Sequence, residues 1–200
     1  MLPTKVIFLD FDGVVSTNDY KWHLNPVKVL SVTELCKNTG ARIIVSSSWK
    51  VGCSDTEHFK DWLKRCFLTK EIRENCPDLF NTFIDYIAGI TDVGVGERGM
   101  EIRDYLKRHD EIVNYVILDD DSDMLEEQLF NFVQTDTFEG ITEREVKLCT
   151  VILNGEQVLN PIRLNLVLTT AWRNRCGEYT SEGKKIDIDT MLMKYRNREL

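Results

Sequence analysis

Short runs of bulky apolar residues recur along the chain, separated by longer stretches with helical periodicity. Residues 6–9 and 115–118 are almost continuously apolar, which is typical of strands that are buried on both faces. Residues 42–45 and 132–134 are shorter runs of similar character, and residues 83–90 are predicted as a further strand. The pattern therefore predicts five strands.

Helices are predicted between these strands, where apolar residues return every three or four positions. Pro77 is expected to break the chain after the second helix. Strands that alternate with helices favour a doubly wound, Rossmann-like parallel α/β sheet with helices on both faces and right-handed crossovers. The predicted helices run from Pro26 to Gly40, from Ser54 or Asp55 through Cys66, over residues 98–109 and over residues 142–153.

Acidic residues follow two of the predicted strands where each strand ends. Asp10 and Asp12 come directly after residues 6–9, and Gly13 lets the chain turn away. Residues 119–121 and Asp123, all aspartates, follow the strand at 115–118. Asp-Phe-Asp-Gly in isolation could equally form a solvated turn. Two buried strands that both end in acid instead indicate a divalent cation, because crowded carboxylates without one would take up protons.

A third strand end carries hydroxyl groups. Ser46, Ser47 and Ser48 directly follow residues 42–45. The carboxyl ends of parallel strands meet at one edge of the sheet, where such folds bind their ligands. The serine hydroxyls are therefore expected to lie beside the acids and to donate hydrogen bonds to a phosphate. They could instead simply cap the strand end.

The order of these features resembles that of the haloacid dehalogenase-like (HAD) phosphohydrolases. Asp-Phe-Asp-Gly-Val comes first, followed by a serine that closes the second strand, a basic residue that opens a later helix, and a late acidic cluster. The resemblance covers about residues 5–153. Residues 46–50, 98–102 and 115–124 are most similar to the small HAD domains associated with RNA-repair proteins.

The resemblance implies a Mg²⁺-dependent phosphomonoesterase that forms an aspartyl-phosphate intermediate. Asp10 would be the nucleophile, and Asp12 would be the general acid and base. Magnesium would be held by the Asp10 carboxylate, the Asp12 backbone carbonyl and Asp119. Asp123 is expected to be the second acid because it follows Asp119 by one helical turn, with Asp120 as a close rival.

The phosphate-binding residues implied by the resemblance leave alternatives open. Ser46 is expected to contact the phosphoryl group, but a shift of one residue would exchange it with Ser47. Arg98 stands where the superfamily commonly has a lysine, and Lys60 and Lys50 are its rivals. Arginine keeps the positive charge but reaches differently from lysine.

The segment between Ser46 and Arg98 has about 50 residues, and predicted helix and strand take up most of them. Little remains for the cap domain that many HAD enzymes insert there. We therefore expect an open active site, which suits a nucleotide or a nucleic-acid end as well as a phosphorylated small molecule. Trp22 and Trp49 could stack on a nucleobase, although packing in the core or rim is the commoner use of tryptophan.

Composition limits the number of domains and the compartment. The 200 residues, 42% hydrophobic, suffice for one sizeable core, so we predict a catalytic domain over residues 1–153 and an extension, residues 154–200, packed on it. Without an apolar run of membrane-spanning length or room for a signal peptide, we expect a cytoplasmic protein with no membrane partner. The irregular spacing of the six cysteines indicates free thiols rather than a zinc site.

The net charge of −8 argues against a global basic surface for a long duplex. Residues 154–200, however, carry a net charge of about +2. This basic extension could guide an anionic polymer, or it could be an ordinary solvated surface.

A non-catalytic module that binds Mg²⁺ and phosphate is the main alternative to an enzyme. It would be a degenerate HAD domain or a receiver domain of the response-regulator type. A receiver keeps its acid pair on the first strand and its phosphorylated aspartate on a middle one, whereas here Asp-x-Asp comes first and the acid cluster late. The presence of both Asp10 and Asp12 argues against a degenerate domain.

Overall fold

A computed structural model of the protein describes residues 4–17, 23–66, 76–94 and 97–155. Its centre is a five-stranded sheet in which every neighbouring pair of strands is parallel. The strand order is β3-β2-β1-β4-β5. The strands are β1 (Lys5–Leu9), β2 (Arg42–Val45), β3 (Ile87–Ile90), β4 (Asn114–Asp119) and β5 (Phe132–Gln134). The predicted doubly wound α/β sheet is confirmed.

Five α-helices in the described part of the chain cover both faces of this sheet. They are α1 (Pro26–Thr39), α2 (Thr56–Cys66), α3 (Pro77–Tyr86), α4 (Arg98–Leu106) and α5 (Glu143–Leu153). Ile7 and Leu9 of β1 point into a core shared with α1, α2, α3 and α5. Val6 and Phe8 point the other way and join a second core with Ile102 of α4. This alternation follows from the two-residue period of a strand.

Local signals in the sequence set the helix ends. Asn25 caps α1, because its side chain accepts a hydrogen bond from the Val27 amide at 3.0 Å. The helix stops at Gly40, whose φ of 73° is readily adopted only by glycine. Thr142 caps α5, and Glu145 reaches back to the Thr142 amide at 2.9 Å, completing a capping box. Both helices therefore lie where the sequence predicts them, within one residue.

The prediction of one strand over residues 83–90 is wrong. Pro77 begins α3 instead of breaking the chain, and the helix continues to Tyr86. Phe80, Phe83 and Ile84 lie at helical spacing and are buried against the core. Only the last four residues of the predicted strand form β3. Proline is well tolerated in the first turn of a helix, where its missing N–H costs no hydrogen bond.

The described residues between Ser46 and Arg98 form a 3₁₀ helix at Ser48–Lys50, then α2, α3 and β3. In these described stretches the chain forms elements of the main domain and no separate cap. Of the predicted extension, only Asn154 and Gly155 belong to the described residues, so its packing on the domain stays a prediction. Within the described ranges, no helix is long and apolar enough to cross a membrane. Four cysteines among the described residues are free: Cys36, Cys53, Cys76 and Cys149.

Candidate active site

Three strand ends meet at the carboxyl edge of the sheet. Leu9 of β1 lies opposite Leu118 of β4, and the Asp10 amide donates to the Leu118 carbonyl at 2.9 Å. The Ser46 amide donates to the Leu9 carbonyl at 3.0 Å. These bonds extend the sheet pairing by one residue and set Asp10 between Ser46 and Asp119. Three residues therefore lie side by side at this edge: Ser46, Asp10 and Asp119.

Three carboxylates converge at this edge. One oxygen from each of Asp10, Asp119 and Asp120 lies within 4.8 Å of the others. Gly13, with a φ of 66°, makes room for them, because a Cβ at this position would lie 2.3 Å from the Asp120 carboxylate. Glycine is therefore required here both for the turn and for the close approach of an acidic side chain.

Burial makes this acid cluster costly to ionise. Loss of solvent raises the pKa of Asp10 to about 6, against the opposing effects of Arg98 and the Ser47 hydroxyl. Loss of solvent and the nearby charge of Asp10 raise the pKa of Asp119 to about 8. One oxygen of each, Asp10 Oδ1 and Asp119 Oδ2, is buried without a hydrogen-bond partner. An all-oxygen donor set of this kind fits a hard cation such as Mg²⁺.

Arg98 supplies a positive charge between two of these acids. Its Nη1 lies 3.2 Å from Asp10 Oδ1, and its Nε lies 3.4 Å from Asp119 Oδ2. These are ion pairs without hydrogen-bond alignment. Burial alone would lower the pKa of Arg98, but the two carboxylates raise it above its ordinary value. The guanidinium therefore stays charged and only partly neutralises the cluster.

Asp123 holds the start of α4 and lies outside the acid cluster. Its Oδ2 accepts a hydrogen bond from the Arg98 amide at 2.8 Å, and its carbonyl accepts from the Gly99 amide at 3.2 Å. Residues 120–125 form no helix, so no helical turn brings Asp123 back beside Asp119, and the role of Asp123 as the second acid stays a prediction. The geometry instead places Asp120 next to Asp119.

Ser46 and Ser47 are both buried beside Asp10. The Ser46 hydroxyl oxygen has no hydrogen-bond partner. The Ser47 hydroxyl helps to lower the pKa of Asp10 and also accepts a weak hydrogen bond from the Trp49 amide at 3.3 Å. The Ser47 hydroxyl therefore lies beside Asp10, and the choice between Ser46 and Ser47 as the phosphate-binding residue stays open.

Both rival lysines pair with glutamates, although Lys50 lies close enough to the cluster for Asp10 and Arg98 to affect its pKa. Lys60 pairs with Glu57 on its own helix at 3.0 Å. The side chain of Lys50 is only 3% exposed, and its Nζ lies 2.8 Å from Glu101 Oε2. Burial lowers the pKa of Lys50 despite this pairing. Arg98 is thus the cation that contacts Asp10 and Asp119. The buried Lys50 contacts Glu101 instead.

Trp49 is buried, which fits packing rather than base stacking. Its indole N–H donates to Oδ2 of Asp12 at 2.7 Å. The Asp12 side chain itself is exposed. Sequence reasoning singled out both residues but missed their contact, since nothing in the spacing of positions 12 and 49 indicates it. Trp22 lies outside the described residues.

One comparison with known proteins decides the family. A family model described as "HAD domain in Swiss Army Knife RNA repair proteins" matches residues 6–146. The chain belongs to this family. The match covers this HAD domain from β1 into α5, and it includes every residue of the acid cluster. HAD domains are generally phosphatases, so membership points to phosphohydrolase-type chemistry. The comparisons with curated proteins and with solved structures found no match.

Proposed function

We propose that this HAD domain is a Mg²⁺-dependent phosphomonoesterase that works through an aspartyl-phosphate on Asp10. The observation that carries the proposal is the acid cluster itself, in which three carboxylates converge, and the buried oxygens of Asp10 and Asp119 share one cation, Arg98, without an aligned hydrogen bond. Buried polar atoms are rarely left in this condition unless a ligand completes them. A purely structural role would not explain why three carboxyl groups that are costly to ionise lie together.

The chemistry would proceed in two displacements. A carboxylate oxygen of Asp10 attacks phosphorus, the bond to the leaving oxygen breaks, and Asp12 gives that oxygen a proton. Asp12 then takes a proton from water as the water oxygen attacks phosphorus and the bond to Asp10 breaks. The exposed position of Asp12 suits these exchanges, because leaving group and water must both reach it.

The remaining polar groups would bind the phosphoryl group. Ser46 and Ser47 can donate hydroxyl hydrogen bonds, and Arg98 can pair with phosphoryl oxygens as well as with Asp10. A magnesium ion, when bound, supplies positive charge at the phosphoryl oxygens. Its ligands would be the Asp10 carboxylate, the Asp12 carbonyl, Asp119 and Asp120. Asp123 would instead hold the backbone of Arg98 in place.

The substrate would be a phosphorylated nucleic-acid end or a nucleotide. The family description names RNA-repair proteins, and the described residues between β2 and α4 add no cap over the site. An open site admits a phosphate at the end of a long chain. A phosphorylated small molecule is the second candidate, since an open site would also accept one.

A substrate panel tests the proposal. The full-length protein with Mg²⁺ should release inorganic phosphate from 3′- or 5′-phosphorylated oligonucleotides faster than from sugar phosphates. Asp10→Asn should abolish release, whereas Asp121→Asn, which changes a nearby exposed acid, should leave it intact. Tight binding of Mg²⁺ and phosphate with no turnover of any substrate would contradict the proposal and favour a non-catalytic binding module.

A further inference from the structure

The contact between Trp49 and Asp12 joins a buried side chain to an exposed one. The indole N–H lies 2.7 Å from Asp12 Oδ2, while the tryptophan side chain is only 7% exposed. An exposed carboxylate could be solvated by water on both oxygens. Here Oδ2 of Asp12 instead accepts a hydrogen bond from Trp49, a residue of the hydrophobic core.

Aromatic packing fixes the direction of this donor. The indole packs edge-to-face on Phe11, with ring centroids 5.2 Å apart, and on Trp62 at 6.3 Å. Phe11 also packs on Phe59 at 5.8 Å. Because Phe11 directly precedes Asp12 in the chain, the same cluster positions the backbone of Asp12 and the N–H that binds its side chain. A donor held in this way is preorganised for the group it binds.

We propose that Trp49 is a positioning residue for Asp12. Its N–H holds Oδ2, so that Oδ1 faces the reacting groups and carries the proton that is exchanged. This inference rests on the proposed phosphatase function. In the first displacement the proton passes from Oδ1 to the leaving oxygen as the bond from phosphorus to that oxygen breaks. In the second, Oδ1 receives a proton from water as the bond between phosphorus and Asp10 breaks.

The test compares leaving groups in the full-length protein. Trp49→Phe keeps an aromatic ring but removes the N–H. An alkyl phosphate needs protonation of its leaving oxygen, whereas 4-nitrophenyl phosphate needs little. We expect kcat for the alkyl phosphate to fall about tenfold or more, with a change of less than about twofold for the aryl phosphate. Tyr105→Phe, which alters an aromatic side chain of the second core, should not change the ratio between the two substrates.

A double-mutant cycle separates positioning from packing. In an Asp12→Asn background, Trp49→Phe should cause no further loss with the alkyl phosphate, because the group that it orients is gone. An equal loss with both substrates, the same loss in both backgrounds, or faster alkyl turnover would overturn the proposal. Faster turnover would mean that the indole restrains Asp12 in an inactive position.

Two controls keep the test decisive. If circular dichroism shows that Trp49→Phe does not fold, benzothienylalanine at position 49 preserves the tryptophan shape without the N–H and should give the same selective loss. Asp10→Asn, measured in parallel, tests the proposed function separately. If that variant is as active as the wild-type protein, the phosphatase assignment fails, whatever the leaving-group ratio shows.

Discussion

The two halves of the carboxyl edge satisfy their buried charges differently. At the ends of β1 and β4, Asp10 Oδ1 and Asp119 Oδ2 share one cation, Arg98, in ion pairs at 3.2 and 3.4 Å, and neither oxygen has an aligned hydrogen bond. Near the ends of β2 and β3, Glu101 of α4 has partners for both of its carboxylate oxygens. Lys50 Nζ lies 2.8 Å from Oε2, and the Gly94 amide donates to Oε1 at 2.9 Å. The first half is therefore suited to take up a ligand, and the second to hold its shape.

This difference separates residues that would bind a ligand from residues that hold the surrounding elements in place. The Lys50–Glu101 pair joins the turn after β2 to α4, the helix that begins with Arg98. Thr91, directly after β3, adds a weak hydrogen bond to Glu101 at 3.3 Å. A buried ion pair is not by itself strong evidence of stability, but removal of one partner is costly because it strands the other charge.

The largest effect is expected from loss of an acid-cluster ligand. Asp119→Asn should weaken Mg²⁺ binding by more than about a hundredfold, because residues that merely support a metal ligand already cost 10–100-fold. Titration calorimetry of the full-length protein measures this binding. Addition of excess chelator should likewise abolish phosphate release, and Ca²⁺ should inhibit it, since Ca²⁺ prefers a larger and looser set of ligands.

Asp121→Asn is the matched control for that experiment. Asp121 lies two residues along the chain and is exposed, so this change should leave Mg²⁺ affinity within about twofold, as expected for an exposed charge. Equal affinities of Asp119→Asn and the wild-type protein would contradict the placement of the metal in the acid cluster.

The second prediction concerns the satisfied half. Lys50→Met leaves Glu101 buried without its cation and should lower the free energy of unfolding by about 3 kcal/mol. Lys60→Met removes the cation of a pair whose acid, Glu57, is largely exposed, and should cost less than about 1 kcal/mol. Urea denaturation measures both. Similar losses of unfolding free energy for the two variants would show that the buried pair contributes no more to stability than the exposed one.

The last prediction concerns the pH dependence of the metal-free protein. The pKa values of Asp10, about 6, and of Asp119, about 8, exceed the ordinary value near 4. Between pH 4 and 8 the folded state therefore holds protons that the unfolded state has released, so stability falls as the pH rises. We expect the free energy of unfolding to fall throughout the range from pH 5 to pH 9.

Urea denaturation in chelator across this pH range measures that drop. Excess Mg²⁺ should reduce it, because a bound cation replaces the protons, and Asp119→Asn should flatten it by removing the group with the higher pKa. Stability that rises between pH 5 and pH 9 in the metal-free protein would contradict the described electrostatics of the cluster.

Periodicity and motif order were enough to predict the sheet and the principal acids, because each depends on neighbours in the chain. Residues 83–86 were misassigned because a short apolar run is compatible with either a buried strand or the buried face of a helix. The sequence pattern could not show that Asp123 accepts a hydrogen bond from the Arg98 amide, because residues 120–125 form no helix after β4 and the contact joins distant segments.

Contacts between distant segments were beyond the reach of sequence patterns. The hydrogen bond from Trp49 to Asp12 depends on how an aromatic cluster packs. The Lys50–Glu101 pair joins the turn after β2 to α4, and only the folded sheet brings these two segments together. Both contacts involve side chains beside the candidate site. Side chains of this kind are the part of an active site that a single sequence is least able to reveal.

The most direct test of the central claim is to trap the phosphorylated aspartate. In Asp12→Asn the base for the second displacement is lost, so an activated aryl phosphate should still phosphorylate the protein but hydrolysis of the intermediate should slow. Acid quenching followed by mass spectrometry of peptides should then place the phosphoryl group on Asp10. Turnover of the aryl phosphate with no phosphorylated peptide, or with the phosphoryl group on another residue, would contradict the account.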